Sequence, residues 1–284
     1  MDKDSIVKAI LDTNSNSLFF SGLEGSEHHN ATFAVHPKEF PMFKMNNIPV
    51  PEDDGSVSYH YNSLGFRSDD FVKKIDSKKN RFVFAGCSEG EGIGGNIEDS
   101  WTGMTYNAIK DELSLDGFYN LSIDNFGFQK IIMNCLLYVK EFGKPDAFVV
   151  LFPDVARVFK WLDSENSYTI EWKDLNHLEI KENRKLYMDS MVDFILYINM
   201  FEEYCRTNQI KLFWSTWSRL ENSVLSELNF SKNFIEFNYH PDFFEYKQNE
   251  VIKRDGHQGL NAHKVWSTNL INAIIDYAKN NKQA

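Results

Sequence analysis

From about residue 80 onward the chain alternates short apolar runs with longer stretches of helical spacing. The apolar runs Arg81–Gly86, Phe118–Ile123, Ala147–Phe152 and Ile210–Ser215 are four to eight residues long and rich in Phe, Val, Ile and Leu, which predicts buried strands. Four longer stretches lie between or after them. Ser100–Leu113 places Trp101, Met104, Ala108 and Ile109 near one face, and Phe128–Phe142 does the same with Ile131, Ile132, Cys135, Leu136 and Val139. Lys185–Thr207 carries Met188, Met191, Phe194, Ile195 and Ile198, and Asn261–Lys279 carries Val265, Trp266, Leu270, Ile274 and Tyr277. Repeats at three and four residues predict helices with one apolar face. Strand and helix in alternation predict an α/β fold whose parallel sheet is covered on both faces.

Residues 1–60 follow another pattern. Asn, His, Pro, Ser and Gly are frequent, and helical spacing shows only at Ile6, Ile10 and Leu11. This predicts an N-terminal extension packed on a main domain of residues 61–284. Residues 160–184 are polar and aromatic and read as an insertion.

With 284 residues, the chain can bury about 75% of its unfolded surface and requires no disulfide staples. The net charge of −11 argues against a nucleic-acid-binding surface as the main function. Cys87, Cys135 and Cys205 are far apart, with no C-x-x-C pair, so neither a disulfide framework nor a zinc site is expected. Cys135 and Cys205 read as buried thiols. The start, Met1 to Asp12, lacks the basic-then-apolar signature of a signal peptide, and no apolar run approaches 18 residues. The expectation is a cytoplasmic or virion-associated protein with no membrane span.

The candidate chemistry centres on Gly86-Cys87-Ser88-Glu89-Gly90-Glu91-Gly92-Ile93-Gly94-Gly95, directly after the first core strand. A serine at the C-terminal end of such a strand lies where open α/β sheets bind ligands. Near the far end comes Asp255-Gly256-His257. Serine, histidine and a carboxylate are the minimum parts for nucleophilic hydrolysis. The same residues also fit a plainer reading, with Ser88 a turn serine and Asp255 the cap of the last helix. His263, about a turn into that helix, is an alternative base or a packing residue.

Three segments together resemble the SGNH (GDSL-type) serine hydrolase superfamily. They are Asn62-Ser63-Leu64-Gly65-Phe66-Arg67, then Gly86-Cys87-Ser88 with Gly92 and Gly94, then Asp255-Gly256-His257. Asn120-Leu121-Ser122 followed by Gly127 resembles the family's second block. The resemblance implies a three-layer, flavodoxin-like parallel sheet. It implies Ser88 as nucleophile, His257 as base and Asp255 as the residue that orients it, with no cofactor and no metal. It implies an oxyanion hole from the backbone N–H groups of Ser88 and Gly127. The substrate would be a small acyl ester, such as an O-acetyl group on a glycan.

The chain departs from the family pattern at three points. Cys87 replaces the usual Asp, and the Asp-x-x-His spacing is one residue shorter. The third block's Asn is absent, with Phe152-Pro153-Asp154-Val155-Ala156-Arg157 in its place. Arg157 is a candidate substitute donor. Losing one oxyanion donor typically costs about 10²–10³ in rate. This leaves open a second reading, a catalytically impaired binding or structural protein of the same fold, similar to divergent phage members of the group.

Several other patterns compete for these residues. Gly86-Cys87-Ser88-Glu89-Gly90 matches the G-x-S-x-G elbow, but the near-adjacency of Asp255 and His257 favours the SGNH arrangement. Gly90 to Gly95 fits G-x-G-x-x-G with Asp124 ending the next strand, yet four residues separate Gly90 from the strand, and Glu89 and Glu91 would face a pyrophosphate. His28 and His29, with Glu24 and Glu27, read as a polar loop before a metal site. Trp214, Trp217, Phe243 and Phe244 read as packing before a sugar cleft, and Arg67 as a structural ion-pair partner.

Overall fold

The four apolar runs form one parallel sheet, in the spatial order Tyr119–Asn120, Phe82–Ala85, Ala147–Phe152, Lys211–Thr216. The computed structural model describes residues 32–35, 57–73, 76–124, 126–155, 184–237 and 259–282. In chain order these hold β1 (Thr32–Val35), β2 (Val57–His60), β3 (Phe82–Ala85), α1 (Ser88–Glu91), α2 (Trp101–Ile109), β4 (Tyr119–Asn120), α3 (Phe128–Phe142) and β5 (Ala147–Phe152). Then follow α4 (Arg184–Thr207), β6 (Lys211–Thr216), α5 (Arg219–Glu227) and α6 (Leu260–Lys282).

The two inner strands, β3 and β5, are apolar throughout because both faces are covered. Phe82 and Phe84 of β3 join Val149 and Leu151 of β5 against Trp101 and Ile109 of α2 and Trp266, Leu270 and Ile274 of α6. The alternate residues Val83, Ala85, Phe148, Val150 and Phe152 meet Ile131 and Cys135 of α3 and Met191, Phe194 and Ile198 of α4. The predicted three layers are therefore present, and the α/β class with its parallel sheet holds.

Cys135 and Cys205 are buried free thiols, as predicted, and burial pushes Cys205 up to about 12. Met188 departs from the expected apolar face and points to solvent, at 51% exposure, because α4 buries the flanking Tyr187 instead. Tyr277 is partly exposed and keeps its ring edge-on to Phe213, with 5.5 Å between ring centroids. Trp214 is a core residue with its indole N–H on Glu202 at 2.7 Å, so it lines no sugar cleft. Phe243 and Phe244 lie outside the described residues, as do the Glu24–His29 cluster and most of the predicted insertion.

β1 and β2 pair antiparallel, Thr32 opposite His60. β2 reaches the glycine-rich loop directly and by way of Arg67. The Gly94 N–H donates to the Tyr59 hydroxyl at 2.8 Å, and the Ser58 carbonyl accepts from Arg67 at 2.6 Å. Among the described residues no helix is long and apolar enough to cross a membrane.

Candidate active site

Ser88 opens α1 at the C-terminal end of β3, a central strand of the sheet. The sequence reads this region as a loop, but it forms one helical turn. Cys87 is extended and caps it, and the Gly90 and Glu91 N–H groups both donate to the Cys87 carbonyl. Gly92 ends the turn with φ 76°, a left-handed conformation that glycine takes without strain. Ser88 is 1% exposed.

Three sets of side chains hold this turn, and the first comes from the Asn62–Arg67 segment. The Asn62 side-chain oxygen accepts from the N–H groups of Leu64 and Phe66, both at 3.0 Å, and Gly65 takes φ 79°. This Asn-closed turn aims Arg67 inward. Its buried guanidinium donates to the carbonyls of Glu91, Gly92 and Gly95 at 3.2, 2.8 and 2.9 Å, and lies 4.2 Å from the Tyr59 ring centroid. Burial lowers the Arg67 pKa from its usual value. Arg67 is structural as expected, but its hydrogen bonds go to backbone carbonyls and not to a carboxylate. The N–H groups of Gly90, Gly92, Ile93, Gly94 and Gly95 all donate within the protein, so the G-x-G-x-x-G stretch makes no phosphate cradle there.

The second set grips the Gly90 carbonyl, which accepts from Thr102 Oγ1 at 2.8 Å and Asn120 Nδ2 at 3.0 Å. Gly90 allows the close approach. A Cβ there would run into Ser122 Oγ and lie 2.8 Å from Ser122 Cβ. We expect Gly90→Ala to cost about 1–3 kcal/mol by overpacking. In urea denaturation, adding Ser122→Gly should recover part of that loss, with a coupling of about 1 kcal/mol.

The third set is built on Glu91. Its buried carboxylate accepts from the Tyr61 hydroxyl at 2.7 Å and from the Asp124 N–H at 2.6 Å. The latter bond ties α1 to the loop that runs from β4 to Gly127, the N-cap of α3. Ser88 and Gly127 thus sit on two linked segments at the same edge of the sheet.

Burial pushes Glu91 up to about 7 from 4.5, against the pull of its two hydrogen bonds. A carboxyl raised on folding favours the protonated form. Its contribution to stability is full below about pH 4.5 and is lost as pH rises to 7, a fall of about 3 kcal/mol across that window. Glu91→Gln should flatten this part of the dependence, measured as unfolding free energy in urea at pH 5 and pH 7.5.

His263 lies in the first turns of α6, fully buried. Its Nδ1 accepts from the Trp101 N–H at 3.0 Å, and its Nε2 is 3.2 Å from Glu89 Oε2. Accepting at Nδ1 places the proton on Nε2, toward the carboxylate. Both ring nitrogens are thereby engaged in joining α6, α2 and α1. This is the packing role, and it leaves no lone pair for a general base.

After β5 stands Asp154. It acts on Glu221 of α5, whose carboxyl is pushed up to about 7 by burial first and by Asp154 second. The Val155 N–H donates to Glu221 Oε1 at 3.2 Å. Arg157, Asp255 and His257 lie outside the described residues. The sequence assigns no part in this site to Glu89, Glu91, Tyr61 or Trp101. The signals were two acids flanking a glycine directly after the serine, and a Tyr next to the Asn62 turn.

Among the described residues no group of three or more His, Cys, Asp or Glu is arranged to hold a metal. A cavity of about 760 Å³ opens at the opposite edge of the sheet, beside Phe82, Asp146 and Lys211, and none of the predicted site residues line it.

The fold is similar to those of several solved structures. A psychrotrophic esterase from Pseudoalteromonas sp. is 9% identical, with a TM-score of 0.45 over 71% of this chain and 100% of that one. A catalytic mutant of an acetylxylan esterase from Geobacillus stearothermophilus is 11% identical, with a TM-score of 0.42 over 71% and 95%. A member of the lipolytic G-D-S-L family from Veillonella parvula is 11% identical, with a TM-score of 0.41 over 68% and 96%. No protein-family model matches the sequence, and no curated protein matches it.

Proposed function

We propose that the protein is a serine ester hydrolase of the SGNH type, acting on a small acyl ester such as an O-acetyl group of a glycan. The observation that carries this reading is the hold on the Ser88 turn. Arg67, Asn120 and Thr102 hold the carbonyls of Gly90, Glu91, Gly92 and Gly95 at the end of a central strand, and the Glu91 carboxylate ties the turn to Asp124, which is more support than a turn serine needs. A nucleophile benefits from such fixing because its attack geometry is then set before substrate arrives.

In this mechanism Ser88 Oγ attacks the ester carbonyl, and His257 takes its proton. Asp255 holds the imidazole in the tautomer that can accept. The N–H groups of Ser88 and Gly127 stabilise the oxyanion, with Arg157 as a further donor. His257 then returns the proton to the departing alcohol, and water repeats the sequence to release the acid. No cofactor enters.

The competing reading, a non-catalytic binding or virion-associated structural protein of the same fold, draws on Asp154. A second acid beside Glu221 at the place of an oxyanion donor disfavours developing negative charge. A fluorophosphonate probe separates the two. Labelling of the wild type, absent in Ser88→Ala, supports the hydrolase. No labelling of a folded wild type supports the binding protein.

A further inference from the structure

We propose that Glu91 is a positioning residue for the oxyanion hole: its carboxylate fixes the segment that leads to Gly127 against the turn that carries Ser88. The inference rests on the hydrolase reading above and adds to it a side chain that does not touch substrate. The need for a tether follows from where strand pairing stops. β4 pairs with β3 over Tyr119 and Asn120. Beyond them the Leu121 N–H reaches the Phe84 carbonyl at 2.8 Å, but the Ile123 N–H reaches the Gly86 carbonyl only at 3.4 Å, past the usual range of such a bond. The ladder gives out as the chain approaches Gly127. At the next residue the Asp124 N–H donates to Glu91 Oε2 at 2.6 Å. One side-chain bond takes over where the backbone bonds fail. Phe126 is also buried in the core, but apolar burial has no direction and does not aim a neighbouring N–H.

Glu91 is itself held from several sides. Its Oε1 accepts from the Tyr61 hydroxyl at 2.7 Å, its backbone carbonyl from Arg67 at 3.2 Å, and its N–H donates to the Cys87 carbonyl at 3.0 Å. It shares the single turn of α1 with Ser88, so a fixed Glu91 carboxylate places Asp124 relative to the serine. Among the described residues the N–H groups of Ser88 and Gly127, both buried, meet no acceptor. These are the two donors that the hydrolase reading assigns to the oxyanion, and a misplacement of about 1 Å in such a site can cost about 10² in rate. A carboxylate suits the task. It accepts at both oxygens at once, and its charge shortens and strengthens the bond from an N–H. A leucine would fill the space and hold neither partner. A glutamine keeps an oxygen for Asp124 and turns its NH₂ toward the Tyr61 oxygen, which can accept.

Amide hydrogen exchange and steady-state kinetics on the full chain test this, with circular dichroism to check that each variant is folded. In the wild type the Asp124 amide should be protected about 10²-fold; in Glu91→Leu its exchange should quicken about tenfold or more, with Ile131 and Cys135 of α3 unchanged. On a short p-nitrophenyl ester, Glu91→Leu should lower kcat about 10²-fold and move KM less than about threefold, because the loss falls on the transition state. Glu91→Gln should recover kcat to within about tenfold of the wild type and restore the Asp124 protection, a rescue that mere filling of space does not give. Fast exchange at Asp124 in the folded wild type overturns the proposal without any variant. So does a Glu91→Leu protein that keeps the wild-type kcat, or a glutamine that rescues no better than leucine. A wild type that neither turns over ester nor takes a fluorophosphonate probe overturns the hydrolase reading, and with it the kinetic half of the proposal. Exchange at Asp124 in the wild type and Glu91→Leu still decides the tether on its own.

Discussion

Ser88→Ala is expected to lower the hydrolysis of a short p-nitrophenyl ester by about 10⁶-fold, to the background set by binding and the oxyanion donors alone. His257→Ala should cost nearly as much, because members of a triad act as a unit and the second loss adds little to the first. The wild-type rate should rise with pH through one ionisation near pH 6–8, since His257 must be neutral to accept the proton and a free imidazole titrates at about 6.5. In His257→Gln the residual rate should be flat across that range. Steady-state kinetics on the three proteins decide the matter. Undiminished turnover in Ser88→Ala would move the chemistry to another residue.

The largest expected effect on stability belongs to Arg67. Arg67→Ala removes the donor from four carbonyls at once, those of Ser58, Glu91, Gly92 and Gly95, in a site where Arg67 itself is only 2% exposed. A buried carbonyl left unpaired costs about 1–3 kcal/mol. Water entering the space left by the side chain would satisfy some of them, so we expect a net loss of about 4 kcal/mol. Arg67→Lys should recover only part of it, because an ammonium lacks the planar fork that reaches both the β2 side and the turn side. Urea unfolding midpoints measure this loss. A change below about 1 kcal/mol in Arg67→Ala would mean that the turn holds itself without the guanidinium.

The sheet and the long helices were legible in the sequence because each buries a face with its own period. Ala147–Phe152 and Phe128–Phe142 fall where the pattern places them, and α4 begins one residue from its expected start. The pattern failed where long-range bonds decide the backbone. Ser88-Glu89-Gly90-Glu91 has poor helix propensity and reads as a loop, and it forms a turn braced by Arg67, Thr102 and Asn120. β4 reads as six residues and pairs over only Tyr119 and Asn120, after which Asp124 is drawn to Glu91. α5 was passed over because its residues are mostly polar, with Leu225 its one fully buried apolar side chain among those described. The Asn62–Arg67 segment was visible as a motif. Its purpose became clear only once the carbonyls it serves were in place. For His263 the sequence allowed two roles, and the bond from the Trp101 N–H decides between them.

The supports of the Ser88 turn differ in when they can form during synthesis. Arg67 and its carbonyl partners in the turn are only 24 to 28 residues apart, so that brace closes a short loop and costs little chain entropy. His263 and Trp101 are separated by 162 residues. The Ser88 turn can therefore be gripped from one side soon after it leaves the ribosome, while α6 joins it only 162 residues after Trp101. A chain released early, or nicked before α6, would keep its serine in place and lack the helix that encloses it.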